Sequence, residues 1–243
     1  MVSSHSEEVW STVVTIESDL NGFSYQGQIA FLHEVDQIFS TFISDSQVSK
    51  IRAGQMQISQ ASPLLQEVWQ QCIVAKELTD GAFDPWAVVG GFDPSGYVKG
   101  WAADKICDQL EEVGAKHIQV NAGGDIALRG GSSEGSPWQI GVAHPENTDA
   151  ISKIYSIQAG AIATSGTYER GNHIIDPQTK SIAVGSRSAT VVGENAGLAD
   201  ALATALIVAG RDGAHWFSKP ELNNYSCWVI DRHEDTLWEI SRT

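Results

Sequence analysis

Asp200 and Thr204 stand four residues apart in "NAGLADALATALIVAG" (195–210), so both project from one face of a helix. Their neighbours Leu198, Ala201, Leu202, Ala203, Leu206 and Ile207 are apolar, which sets a carboxylate among residues that pack. A buried carboxylate needs a cation or strong donors. Carboxylate plus hydroxyl is hard-oxygen chemistry and suits Mg²⁺, which keeps few protein ligands and takes the rest from phosphate or water. A hydrogen bond that Asp200 accepts from a neighbouring loop is the alternative without a metal. His173 is the second candidate. In "GNHIIDPQTK" (171–180) it heads an apolar pair, and Asp176-Pro177 forces a turn just beyond. It reads either as a packed imidazole or as a base held at the lip of a site.

Two glycine-rich bends add oxygen and main-chain groups. "TDGAFD" (79–84) can be a turn after a helix with Asp84 as a local cap. "NAGGDI" (121–126) allows close main-chain approach, and a tight β turn explains it equally well. "GYVKG" (96–100) lacks the spacing of a phosphate-binding Walker loop.

Charge limits the partners. The 243-residue chain carries a formal net charge of −15, which argues against nucleic acid or an anionic membrane surface. A phosphate-bearing ligand would need a metal ion or main-chain N–H donors to offset that field. Cys72, Cys107 and Cys227 are odd in number and widely spaced, so they form neither a disulfide framework nor a CxxC metal site. Buried thiols in a reducing compartment are expected. The N-terminus shows no basic start followed by an apolar run, and no stretch approaches the ~18 apolar residues of a membrane span. A cytoplasmic protein without a transmembrane segment is the expectation.

The elements that must position these residues follow from periodicity. Val9–Glu17 is β-branched and reads as one strand. Ile29, Leu32, Val35, Ile38 and Phe39 form a helical stripe over 28–40, and "TFISDSQVSK" (41–50) reads as a loop. Ser62 and Pro63 start a helix that ends near Leu78. Asp84–Gly100 is too rich in Gly and Pro for one regular element, and a helix follows from Lys99 to Gly114. Two short strands meet at Gly123-Gly124, further strands run through "WQIGVAH", "SKIYSIQ" and "AIATS", and "SCWVIDR" with "LWEIS" makes a final pair. Strands and helices intermix without a strict βαβ repeat. The expected class is α+β, a single domain over 1–243 with mixed or antiparallel sheet and packed helices.

Taken in order, "STFISDSQVSKI", "TDGAFDP", "YVKGWAADK", "NAGGDI", "AIATSGTYER", "HIIDP" and "ADALATAL" resemble the ApbE-type flavin transferases across almost the whole chain. That resemblance implies Mg²⁺-dependent transfer of FMN from FAD to a threonine or serine of an acceptor protein, with FAD as substrate. It implies flavin contacts at Ala82, Phe83, Asp84 and Ile174, and nucleotide contacts at Asp93 and Lys99. It places metal ligands at the Gly96 carbonyl, Asp200 and Thr204, and the base at His173. Hydrolysis of FAD to FMN and AMP, or FAD binding without catalysis, are the rival expectations. The segment between Pro85 and Lys99 is much shorter than is usual in the family. Phe42 replaces a usual tyrosine, Arg52 stands where asparagine is common, and Thr167 replaces a usual acidic residue.

Overall fold

The chain opens with two strands, β1 (Ser3–Val9) and β2 (Thr12–Ser18), where one strand is expected. Trp10 and Ser11 both adopt positive φ, 56° and 58°, and close a two-residue hairpin turn. Neither is Gly, Asn or Asp, so the turn leaves no mark in the sequence. The protein is seen here in a computed structural model that describes residues 3–132, 135–145, 147–166, 174–232 and 236–241.

Four helices follow: α1 (Gln26–Phe39), α2 (Gln47–Arg52), α3 (Pro63–Leu78) and α4 (Ser95–Glu112). α2 lies inside the expected loop, started by Ser46, whose side chain accepts from Ser49 N at 2.9 Å. Ser62 and Pro63 open α3 as expected. α4 begins at Ser95, four residues before the predicted Lys99, directly after a local turn in which Asp93 accepts from Ser95 N at 3.0 Å. Then come β3 (Ile118–Ala122), β4 (Asp125–Arg129), β5 (Trp138–His144), β6 (Asn147–Ile157), β7 (Gly160–Gly166), β8 (Ser186–Gly193), α5 (Ala196–Ala209), β9 (Ser226–Asp231) and β10 (Leu237–Ile240). Among the described residues, eight strands form one antiparallel sheet in the order β1-β2-β3-β4-β7-β8-β9-β10, and β5 and β6 pair as a separate hairpin. The fold is α+β.

β4 shows how the layers arise. Successive side chains of a strand point to opposite faces. Ile126 and Leu128 pack under the β5–β6 hairpin with Trp138, Ile140 and Trp228. Asp125, Ala127 and Arg129 face the helices instead: Ala127 joins Ile106, Cys107 and Leu110 of α4 in the core. Arg129 meets Asp108 at 3.1 Å and Glu111 at 3.4 Å, and Lys99 pairs with Asp125. A small residue thus lets α4 approach, with an ion pair at each end. All three cysteines are buried and free, and burial pushes their thiols up, out of the reactive range. No described helix is long and apolar enough to cross a membrane.

Candidate active site

α5 packs against β7, β8, α3 and α4, which is why it is apolar almost all round. Its crossing with α4 is set by Gly100. A Cβ there would lie 2.3 Å from the Ala196 carbonyl oxygen and 2.7 Å from Gly197 N. Asp104, one turn further along α4, accepts from Ala196 N at 2.7 Å and so caps α5 from the side. Burial pushes the Asp104 carboxyl up to about 6, against the opposing pull of Arg129 and the α5 amides. These contacts hold one face of α4 against one face of α5. Gly96 and Lys99 look out from the first, Asp200 and Thr204 from the second.

Gly96 departs from helical geometry, with φ −85° and ψ 22°, which swings its carbonyl off the helical ladder. A Cβ on Gly96 would lie 3.3 Å from Thr204 Oγ1. Thr204 Oγ1 is 3.1 Å from Ser165 Oγ of β7. Asp200 is only 4% exposed, and its Oδ2 lies 3.8 Å from Lys99 Nζ. Lys99 also forms an ion pair with Asp125, itself buried.

The wall of the cleft grows from the end of α3. Gly81 N donates to Lys76 O at 2.9 Å and Asp80 N to Glu77 O at 3.3 Å, a Schellman closure with Asp80 in the left-handed position at φ 50°. Asp80 holds that conformation through Lys219 at 2.9 Å, His215 at 2.7 Å and Trp216 at 2.9 Å. The chain then delivers Ala82, Phe83 and Asp84 into the cleft. Asp84 accepts from Trp86 N at 3.0 Å and pairs with Lys76 at 2.7 Å, so the local cap expected from sequence is present alongside an ion pair.

The stretch after Pro85 is tied down on several sides. Asp93 N donates to Pro85 O at 2.8 Å, and Trp69, Trp86 and Phe92 cluster with ring centres 4.5–5.3 Å apart. Arg52 donates to Val89 O at 2.7 Å and lies 3.8 Å from Asp93. Arg52 thus ties the end of α2 to this stretch on two sides. On the opposite side, Ile175 bridges Ile182 and Asp176 closes the turn by accepting from Gln178 N at 2.8 Å. Lys180 of that turn reaches Ala87 O at 3.2 Å. His173 and Thr167 lie outside the described residues. Gly166 and Ile174, which bracket 167–173, both line the cleft.

One cavity of about 210 Å³ is lined by Ala82, Phe83, Asp84, Asp93, Gly96, Lys99, Ile174, Asp200 and Thr204, every described residue singled out from the sequence for this site. Sequence reading gave no role to Lys76 or Ser165, took Arg52 only as a departure from the family, and took Asp125 only as part of "NAGGDI". Asp125 alone left a signal, since the alternation of "DIALR" puts it on the face of Ala127.

The donor set fits a small hard dication. A buried carboxylate, a hydroxyl one turn on and a displaced main-chain carbonyl are all oxygen. Among the described residues no three His, Cys, Asp or Glu side chains converge on one point, so a zinc-type side-chain cage is not available there. Asp84, Asp93, Asp125 and Asp200 reach the cleft against Lys76, Arg52 and Lys99, leaving one surplus negative charge among the described groups. A bound dication would turn that into one positive charge, which suits a pyrophosphate.

Gly96 gives a direct check. Its φ is negative, so alanine is allowed by the backbone, but the new methyl would crowd Thr204 Oγ1 and Phe83 at 3.3 Å. Gly96→Ala is expected to keep stability within ~1 kcal/mol while weakening divalent-cation binding severalfold. Thermal melting and cation titration read the two effects separately, and unchanged cation affinity would remove Gly96 from the site.

The sequence pattern of the ApbE family matches residues 9–89 and 90–228. A FAD:protein FMN transferase of Vibrio cholerae is 38% identical over 160 residues, 61% of this chain and 47% of that protein. One of Haemophilus influenzae is 32% identical over 154 residues, 59% of this chain and 44% of that protein. The matched stretch thus spans less than half the length of these relatives. Among solved structures, the flavin transferase ApbE from Vibrio cholerae superposes with a TM-score of 0.85 at 24% identity, covering 100% of this chain and 97% of that one. The ApbE protein from Thermotoga maritima gives 0.81 at 24% identity, with 95% and 94% covered. Those two share the fold. With the pattern covering both the cleft wall and the α4–α5 pair, the chain belongs to the ApbE family.

Proposed function

We propose that this chain, acting as one domain, transfers FMN from FAD to a threonine or serine hydroxyl of an acceptor protein and releases AMP, and that it requires Mg²⁺. The observation that carries this reading is the meeting of Gly96, Asp200 and Thr204 beside Lys99 in a cleft walled by Ala82, Phe83 and Asp84. The names of the curated relatives support it.

Asp200, Thr204 and the Gly96 carbonyl would hold the metal. Bound there, Mg²⁺ would supply charge neutralisation for the pyrophosphate and a template for in-line displacement. Phe83, Ala82 and Ile174 offer apolar surface to the flavin, with Asp84 as a polar anchor beside them. Asp93 and Lys99 position the nucleotide. The acceptor oxygen bonds to the FMN phosphorus as the bond from that phosphorus to the AMP oxygen breaks. His173 takes the hydroxyl proton; this role rests on the motif and on Ile174, its covalent neighbour, lining the cleft.

Incubation with FAD, Mg²⁺ and a flavin-acceptor domain, read by intact mass, tests the proposal. A mass gain of one FMN on the acceptor is the expected result. Release of FMN and AMP without acceptor modification would make the protein a hydrolase, and FAD recovered intact would make it a binder. His173→Ala is expected to cut transfer by ~10²–10⁴ while FAD affinity and melting temperature stay level. Loss of FAD binding or of the fold in that variant would give the imidazole a structural role instead.

A further inference from the structure

We propose that Asp125 is a positioning residue that draws the Lys99 ammonium toward itself, and so weakens the hold of Lys99 on the Asp200 carboxylate against a competing divalent cation. This rests on the reading of Gly96, Asp200 and Thr204 as the cation site and goes beyond it. Three charges meet in a confined space: Asp125 is 2% exposed, Asp200 4%, and the Lys99 side chain 18%. Lys99 follows Gly96 by three residues on α4, so the two lie on one side of that helix, and both line the cleft. The Lys99 ammonium pairs with both acids, closely with Asp125 and at 3.8 Å with Asp200 Oδ2. An ammonium and a dication compete for the same carboxylate. In a partly buried site, charges this close act strongly enough to change an affinity by orders of magnitude.

The two partners differ in freedom. Asp125 opens β4 directly after the Gly123-Gly124 turn, whose φ values are 70° and 103°, and Asn121 Oδ1 fixes the turn by accepting from Gly124 N at 2.8 Å. β4 lies inside the sheet between β3 and β7, so this carboxylate cannot move far. Lys99 has a flexible four-carbon stem that can reach either acid. The fixed acid therefore decides where the mobile cation rests.

A simpler role is open to the same pair, namely docking α4 on the sheet, as Arg129 does at the far end of β4 with Asp108 and Glu111. Docking alone predicts that removing Lys99 as well as Asp125 brings no recovery. Positioning predicts that it does.

The test is Mn²⁺ binding by calorimetry without FAD, on the unaltered protein and on Asp125→Asn, Asp125→Asn/Lys99→Met and Asp200→Asn. Asp125→Asn is expected to bind Mn²⁺ about tenfold or more weakly, because Lys99 then turns to Asp200. The double variant is expected to bind within about threefold of the unaltered protein or more tightly. It removes both charges of the pair, so it remains informative even where Asp125→Asn does not fold. Undiminished binding by Asp125→Asn, or weak binding by the double variant, overturns the proposal. No Mn²⁺ binding by the unaltered protein, or equal binding by Asp200→Asn, overturns the cation site itself and this proposal with it.

Discussion

Asp200→Asn is expected to lower turnover by ~10²–10³, since a dication at a phosphoryl centre contributes several kcal/mol and each 1.36 kcal/mol is tenfold. The substitution keeps the size of the side chain and removes its charge. Asp200 lies on a helix that is buried on nearly all sides, and in the absence of metal Lys99 lies 3.8 Å from its Oδ2. The substitution therefore takes part of an ion pair from the variant, whose own metal-free melting temperature is the reference. What the variant should lose is the cation-dependent rise in melting temperature, which at a hundred times Kd corresponds to ~2.7 kcal/mol. The two melting curves, with and without Mg²⁺, separate a ligand role from a structural one. A variant that keeps normal Mg²⁺-dependent transfer would remove Asp200 from the site. Thr204→Val should show the same pattern more weakly, because a neutral oxygen holds a dication less firmly than a carboxylate.

Gly100→Ala is expected to damage both the fold and the site. Alanine in a helix interior is favoured over glycine by ~1 kcal/mol. Against that gain, the new Cβ would lie 2.3 Å from the Ala196 carbonyl oxygen, a main-chain atom that no rotamer change can move. Overpacking of this kind costs ~1–3 kcal/mol and occasionally more, so the clash outweighs the propensity. Relief requires α4 to draw away from α5, and that carries Gly96 and Lys99 away from Thr204 and Asp200. Misplacement of about 1 Å is worth ~10² in rate, so activity should fall even where the variant folds. Chemical denaturation measures the first effect and cation titration the second. Unchanged stability together with unchanged cation affinity would show that the two helices do not meet as described.

These residues also show what could be read before the structure was in view. Asp200 and Thr204 were legible as a pair because their relation is local: four residues along a helix decides which face they share. Ser62 and Pro63 marked the start of α3 for the same reason. The Trp10–Ser11 turn was not legible, because it is closed by residues that ordinarily avoid positive φ. α2 was missed because six residues are too few to show a period, and β8 because its run Ser188–Val191 is buried on both faces and shows no alternation. The partners of Arg52, Val89 O and Asp93, lie about forty residues away in the chain, so its role could not be read locally.

By itself the sequence determined the α+β class, the helix that carries Asp200 and Thr204, the glycine-rich bends and the order of the family motifs, since each depends on residues within a few positions of one another. Only the tertiary structure decided that Gly96 faces Thr204, that Asp125 and Asp200 share Lys99, and that Lys76 and Arg52 stand behind Asp84 and Asp93. Those contacts depend on how closely Gly100 lets α4 approach α5, and on the register that aims Asp125 at α4 rather than at the hairpin. Both are set by packing between elements far apart in the chain.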